Sequence, residues 1–183
     1  FSNGSFYIAS NAKAKSIIDK NVTENNVQFI AVDQKPTALS KIKKARIALW
    51  DMYGGSMPSG WTRLILEKFN YAFDVIYAKD VDTGNLRSKY DVIVFVGGAI
   101  PAVGSGVNTN AGFGFNNPNP DSIPVEYRNR LGRITAAKSI PQLKLFMEAG
   151  GNIVTIGSST QLAYHLKLPV ANAMVEIVNG EEK

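Results

Sequence analysis

Short apolar runs alternate with stretches of helical spacing from Arg46 onward. Four runs are apolar on both faces, which is typical of strands in a buried parallel sheet; they span residues 47–50, 73–77, 91–96 and 153–156. Between and after them, apolar residues recur every three or four positions, as in amphipathic helices; these stretches cover residues 61–69, 83–89, 140–147 and 158–166. This order predicts an α/β domain over residues 46–183 with a doubly wound, mainly parallel, flavodoxin-like sheet.

The first of these helices carries a clear apolar stripe. Trp61, Leu64, Ile65 and Phe69 follow one another at helical spacing. We expect this stripe to face the core, with the stem of Lys68 at its margin.

The first 45 residues carry a pattern of their own. Residues 6–9 and 27–32 indicate short strands on either side of a helix that Asn11 could cap. The polar stretch around Pro36 indicates a linker. We therefore expect residues 1–45 to form a β-α-β appendage, and the pattern leaves open whether it joins the main sheet.

The amino-acid composition excludes several kinds of catalytic and metal site. The chain has 183 residues, of which 45% are hydrophobic and 19% charged, as in an ordinary globular domain. It contains no cysteine, which excludes a disulfide framework, a thiolate nucleophile and a cysteine-ligated zinc site. His165 is the single histidine, so a reaction that needs two imidazoles cannot take place within this chain.

The net charge of +5 is concentrated in two clusters. Their members are Lys41, Lys43, Lys44 and Arg46, and then Arg128, Arg130, Arg133 and Lys138. Neither cluster alternates with aromatic residues as a nucleic-acid module would, so we expect no nucleic-acid partner. The clusters are either solvated surface or the site of an anionic partner.

The sequence also bears on location. No run approaches the ~20 apolar residues of a membrane span, and no secretory leader pattern is present. The chain begins with Phe1 rather than Met, which indicates a piece of a longer protein.

Residues 97–124 interrupt the regular order. This segment is rich in glycine, asparagine and proline, and it leaves the end of a central strand. Segments this long inside a compact domain are either functional lids or mobile insertions. As a lid, it could close Phe113 and Phe115 over a small ligand.

The carboxyl ends of the predicted strands bring the candidate site residues to one edge of the sheet. They are Asp51, Gly54, Gly55 and Ser59, then Gly97 and Gly98, then Gly157, Ser158 and Ser159. Helix N-termini near Ser59 and Ser158 would direct backbone N–H groups there, which suits a peptide carboxylate or a small anion. Neither a P-loop nor a Gly-x-Gly-x-x-Gly fingerprint follows a strand into a helix, so we predict no nucleotide site.

Ser158 and Ser159 are the weak candidates for a nucleophile, at the turn from strand to helix. Their flanking residues fit a nucleophile elbow poorly, and His165 lies seven residues beyond Ser158, or about 10 Å along a helix. Helix capping is the favoured role, and a serine-dependent hydrolase is the alternative. Asp51, Asp91 and Asp121 show no metal-ligand spacing, so we expect no metal in this chain.

The chain resembles the C-terminal domain of certain large bacterial zinc carboxypeptidase-like proteins. The most specific motif is the run Met-Pro-Ser-Gly-Trp-Thr-Arg at residues 57–63. Further similar segments lie at residues 47–51, 89–95, 98–101, 123–128, 131–135, 157–160 and 166–170.

This resemblance implies a class I glutamine amidotransferase-like domain. In that superfamily a Gly-Gly pair follows a central strand, as Gly97 and Gly98 do here, and a catalytic cysteine stands at the elbow that Gly157 occupies. With that cysteine and its histidine partner absent, we expect a non-catalytic accessory domain that supports a peptidase domain or binds peptide or cell-wall substrate. The resemblance further implies a carboxypeptidase domain upstream in cis, zinc in that domain only, and a secreted or periplasmic location.

Overall fold

The computed structural model describes residues 4–104, 118–178 and 181–182. The chain divides into two compact units, Phe1–Lys44 and Ala45–Lys183.

The first unit contains the helix α1 (Ala12–Asn25). As predicted, Asn11 caps it by accepting a hydrogen bond from the backbone N–H of Ala14 at 2.8 Å. The strands predicted at residues 6–9 and 27–32, and with them the β-α-β appendage, are wrong, because the described residues there form no strand. A strand needs neighbours for its backbone groups, and two short apolar runs without a third strand do not form a stable sheet.

The second unit is built on a four-stranded, all-parallel sheet in the order β2-β1-β3-β4. Its strands are β1 (Ile47–Trp50), β2 (Phe73–Ile76), β3 (Val92–Phe95) and β4 (Asn152–Thr155). In the register of the sheet, Leu49 lies opposite Val75 on one side and Val94 on the other, and Val94 lies opposite Val154. The predicted α/β parallel sheet is confirmed, and the strand order is consistent with flavodoxin-like topology.

Five helices and three 3₁₀ segments of this unit lie in the described ranges. The helices are α2 (Met57–Lys68), α3 (Ala78–Thr83), α4 (Leu86–Lys89), α5 (Ser139–Glu148) and α6 (Leu162–His165). The 3₁₀ segments are Pro120–Ser122, Val125–Arg130 and Gly157–Gln161, and a small antiparallel hairpin joins β5 (Ile177–Val178) to β6 (Glu181–Glu182). The single stretch predicted at residues 83–89 is therefore two short helices, separated by Gly84 and Asn85 at positive φ.

The core contains side chains from the sheet and from α5. Trp50, Ile93 and Phe95 project from one face of the sheet by their alternation along the strands, and they belong to one buried cluster with Leu143 and Phe146 of α5. Burial on this scale is the main stabilising contribution to the fold.

The apolar stripe of α2 does not face this core. Its side chains are 52–78% exposed, and they belong to Met57, Trp61, Leu64, Ile65 and Phe69. The prediction that this stripe faces the core was wrong. The covered side of α2 is a different one, on which Ser59 is buried and Arg63 and Leu66 are half-buried.

The amino ends of β1 and β3 are joined by Arg46 and Asp91. The backbone N–H of Arg46 donates to Asp91 Oδ2 at 2.9 Å, and its guanidinium donates to both carboxylate oxygens at 3.0 Å. These hydrogen bonds, with a further one from Arg87, hold the pKa of the Asp91 carboxyl well below its usual range.

The lid predicted within residues 97–124 falls largely on residues 105–117, with Phe113 and Phe115, and so lies outside the described residues.

Candidate functional site

The candidate site lies at the carboxyl edge of the sheet. In the order β2-β1-β3-β4, the chain moves to one side of β1 for β2 and to the other side for β3. The ends of β1 and β3 therefore form the topological switch point, where open α/β sheets bind ligands. Asp51 follows β1, Gly97 follows β3 after one residue, and Gly157 follows β4 after one residue.

Asp51 organises the turn between β1 and α2. Its side chain is buried, and Oδ1 accepts hydrogen bonds from the backbone N–H groups of Met52 and Ser56, both at 2.9 Å. Oδ2 accepts from Arg63 Nη2 at 2.7 Å. Within this turn Gly54 and Gly55 both adopt positive φ, of 83° and 77°. Asp51 therefore holds a backbone turn and an ion pair, with both of its oxygens engaged.

The N-terminus of α2 offers few backbone donors to a ligand. Pro58 has no N–H, the N–H of Ser59 donates to Ser56 Oγ at 3.2 Å, and that of Gly60 donates to the Ser56 carbonyl at 3.0 Å. Among the first-turn residues, this leaves Met57 as the one whose N–H does not donate to Ser56. The expected anion site at this helix therefore has little of the backbone geometry that it needs.

Ser159 connects the ends of β3 and β4. Its hydroxyl is fully buried and accepts hydrogen bonds from the backbone N–H groups of Ala99 and Ile100, both at 3.2 Å. The same hydroxyl donates a short hydrogen bond to the carbonyl of Val96. Its proton is therefore directed to a backbone carbonyl, and the hydroxyl stabilises the turn after β3.

Ser158 makes a similar but exposed connection. Its Oγ accepts a hydrogen bond from the N–H of Gly98 at 2.9 Å. Neither serine caps the segment that follows, because both hydroxyls bind the turn after β3 rather than the first turn of Gly157–Gln161. The sequence thus located both serines at the correct edge but did not identify their partners, which lie some 60 positions earlier.

Gly157 occupies the sharp turn after β4. Its φ is 59°, in the left-handed region, and a Cβ added there would lie 3.7 Å from the Cα of Gly97. This is ordinary van der Waals contact, so backbone conformation rather than space favours glycine at the elbow.

His165 is directed to a different part of the chain. Its Nε2 lies 2.8 Å from the carbonyl oxygen of Pro101, which can only accept, so Nε2 carries the hydrogen of this bond. The imidazole thus tethers α6 to the segment after β3.

Two buried polar atoms lie on α2, one on Ser59, which the sequence predicted as a site residue, and one on Arg63, which it did not. Ser59 Oγ and Arg63 Nε are inaccessible to solvent and find no hydrogen-bond partner among the described residues. Arg63 follows Asp51 by 12 positions, and only the fold shows that the two meet. The sequence did contain one sign that Arg63 belongs to the site. In the motif at residues 57–63, Ser59 stands four positions before Arg63, which puts both residues on the same side of the helix.

The basic clusters are partly neutralised. Arg46 binds Asp91, and Arg128 Nη1 lies 3.5 Å from Asp121 Oδ1. The guanidinium of Arg130 stacks 4.7 Å from the ring centroid of Tyr127 and 5.6 Å from that of Tyr77.

The described ranges hold no group of three His, Asp or Glu side chains that could bind a metal ion. No helix within them has the length and apolar character needed to cross a bilayer.

The comparisons with known proteins identify no family. No protein-family model, no curated protein and no solved structure matches this chain.

Proposed function

We propose that this chain is a non-catalytic accessory domain that packs against a neighbouring domain of the same, larger protein. The outward stripe of α2 carries the proposal. Its five large apolar side chains are more than half exposed along a helix about 18 Å long. A contiguous apolar surface of this kind is typical of an interaction site.

The size of the stripe favours a partner held in cis. A stable interface between separate proteins buries about 800 Å² on each partner, whereas interfaces between domains of one chain begin at about 600 Å² in total. Side chains on one short helix face supply only a few hundred Å². Covalent linkage raises the effective concentration of the partner, so a small interface is sufficient.

The neighbouring domain that we propose is a zinc carboxypeptidase domain, in a protein exported from a bacterial cell. Support for this part is the resemblance carried by residues 57–63 and the other similar segments. Zinc would be held by that domain and not by this one. The gene sequence upstream of Phe1 tests the assignment: a His-x-x-Glu motif with a distant histidine supports it, and a reading frame without those ligands contradicts it.

The hydrogen bond that Ser159 donates and the contact of His165 support a non-catalytic role. Ser159 donates to Val96, and the described contact of the His165 ring is with Pro101. We expect a fluorophosphonate probe to label neither Ser158 nor Ser159. Labelling that disappears in Ser158→Ala or Ser159→Ala, while circular dichroism shows that the variant is still folded, would establish the serine-dependent hydrolase instead.

Trp61 reports docking directly. The chain has two tryptophans, of which Trp50 is buried and Trp61 lies in the stripe. In Trp50→Phe, with every tryptophan of the neighbouring domain also replaced by phenylalanine, acrylamide quenching of Trp61 should be at least about fivefold weaker in the full-length protein than in this chain alone. The pair Leu64→Ser and Ile65→Ser should restore quenching, whereas Glu67→Ser on the same helix should not. Equal quenching in the full-length protein and in the isolated chain rejects docking through α2, whatever the neighbouring domain proves to be.

A further inference from the structure

Among the described residues, β4 is an edge strand, because it pairs with β3 on one side and with no strand on the other. The N–H of Asn152 donates to the carbonyl of Asp91, and the N–H of Ile156 donates to that of Phe95, both at 2.9 Å. Backbone direction alternates along a strand, so the N–H and C=O groups of Ile153 and Thr155 point to the open side. Among the strands of the described ranges, none pairs with that side.

This edge lacks two of the features by which proteins prevent strand addition, a charged side chain and a proline. Residues 152–156 read Asn-Ile-Val-Thr-Ile, with no charge and no proline. Val154 and Ile156 project to the same face, and each is 46% exposed. The opposite edge differs, because β2 carries the exposed carboxylate of Asp74 in its middle.

We infer that β4 pairs antiparallel with β4 of a second copy of this chain, so that two four-stranded sheets become one. A two-fold axis at Val154 sets Ile153 of each copy opposite Thr155 of the other. Each such pair exchanges two hydrogen bonds, which satisfies the outward groups of both residues. Val154 then faces Val154 of the second copy in the close, non-hydrogen-bonded position.

Charge supports a second copy as the occupant of this edge. The pairing brings only uncharged side chains opposite one another, with Asn152 facing Ile156 of the second copy. The same operation on β2, with the two-fold axis at Asp74, would set two Asp74 carboxylates face to face, which is destabilising. Each copy carries a net charge of +5, so added salt should strengthen the dimer by screening their repulsion. This inference uses a different surface from α2 and is independent of the proposed function.

Sedimentation equilibrium of the intact chain tests the dimer. We expect a dimer at micromolar to submillimolar concentrations and a dissociation constant at least about tenfold higher for Val154→Lys, which opposes two ammonium groups. Asp74→Lys, at the corresponding position of β2, should leave the dissociation constant within about twofold. A chain that stays monomeric up to about 1 mM overturns the inference. A dimer that both variants form equally well also overturns it.

A disulfide test does not depend on the stability of the lysine variant. Because the chain has no cysteine, Val154→Cys introduces a single thiol. The inferred register places the two Cα atoms about 4.5 Å apart, within the range of a disulfide. Mild oxidation at micromolar concentration should convert most of Val154→Cys to a covalent dimer, at least about tenfold faster than Asp74→Cys. Equal rates for the two variants contradict the pairing.

Discussion

Asp51 and Arg63 form an ion pair across the β1–α2 turn, with 2.7 Å between Oδ2 and Nη2. The carboxylate side chain is 5% exposed and the guanidinium side chain 35%. Since Oδ1 of the same carboxylate binds two backbone N–H groups, one side chain holds both the turn and the helix.

Asp51→Ala should lower the free energy of unfolding by about 2–3 kcal/mol. The substitution leaves the N–H groups of Met52 and Ser56 and part of the Arg63 guanidinium without their acceptor. Urea denaturation measures the change. Asp121→Ala is the matched control, because its partner Arg128 lies 3.5 Å away and Asp121 is exposed, so we expect a loss below about 1 kcal/mol. Equal losses in the two variants would contradict the structural role of Asp51.

Ser159→Ala should cost about 1–3 kcal/mol, because the buried backbone N–H of Ile100 would lose its acceptor and that of Ala99 would keep only the carbonyl of Val96. Ser158→Ala removes one hydrogen bond at an exposed position and should cost about 1 kcal/mol or less. Thermal unfolding of the two variants, with amide hydrogen exchange at Ala99 and Ile100, gives the comparison. Faster exchange at these amides in Ser158→Ala than in Ser159→Ala would argue against this assignment.

Two glycines should respond oppositely to alanine. Gly60 lies inside α2, where an added Cβ meets nothing within 4 Å, so Gly60→Ala should stabilise the fold by about 0.5–1 kcal/mol. At Gly151 an added Cβ would lie 2.5 Å or less from three ring atoms of Phe146. Gly151→Ala should therefore cost about 1–3 kcal/mol through overpacking. Calorimetric melting temperatures that rise in Gly151→Ala would contradict the packing of α5 on this turn.

Asp91→Asn should reveal a pH-dependent contribution to stability. Hydrogen bonds from Arg46 lower the pKa of Asp91 in the folded chain, so its contribution is fully present above the unfolded value, about 3.9, and is lost as pH falls through the folded value. The urea midpoints of wild type and Asp91→Asn should differ at pH 7 and converge as pH falls from about 4 toward 2. A gap for Asp91→Asn that stays constant throughout would contradict the lowered pKa.

The local pattern of apolar and polar residues was sufficient to predict much of the fold. The four strands of the main sheet each contain apolar residues on both faces, and that pattern survives because a parallel sheet is covered on both sides. Asn11 was recognised as a cap because its partner, Ala14, is three residues away. Strand ends then placed Asp51, Gly98, Ser158 and Ser159 at one edge, since parallel strands share a direction.

The partners of those residues could not be predicted in the same way. Ser159 binds backbone groups about 60 positions away, and such a contact leaves no trace in spacing. The two short runs in residues 6–9 and 27–32 have strand-like composition but no neighbour to complete a sheet.

The sequence pattern therefore located the four strands of the main sheet, the helices α2 and α5, and the edge of the sheet that collects the polar residues, because periodicity and end signals are local. Tertiary structure alone decided which face of each element is covered. In α2, periodicity identifies the apolar stripe from Met57 to Phe69. The face that the fold covers is a different one, which carries the buried Ser59 and the Arg63 that pairs with Asp51. Burial depends on what surrounds an element, and that is a property of the whole fold.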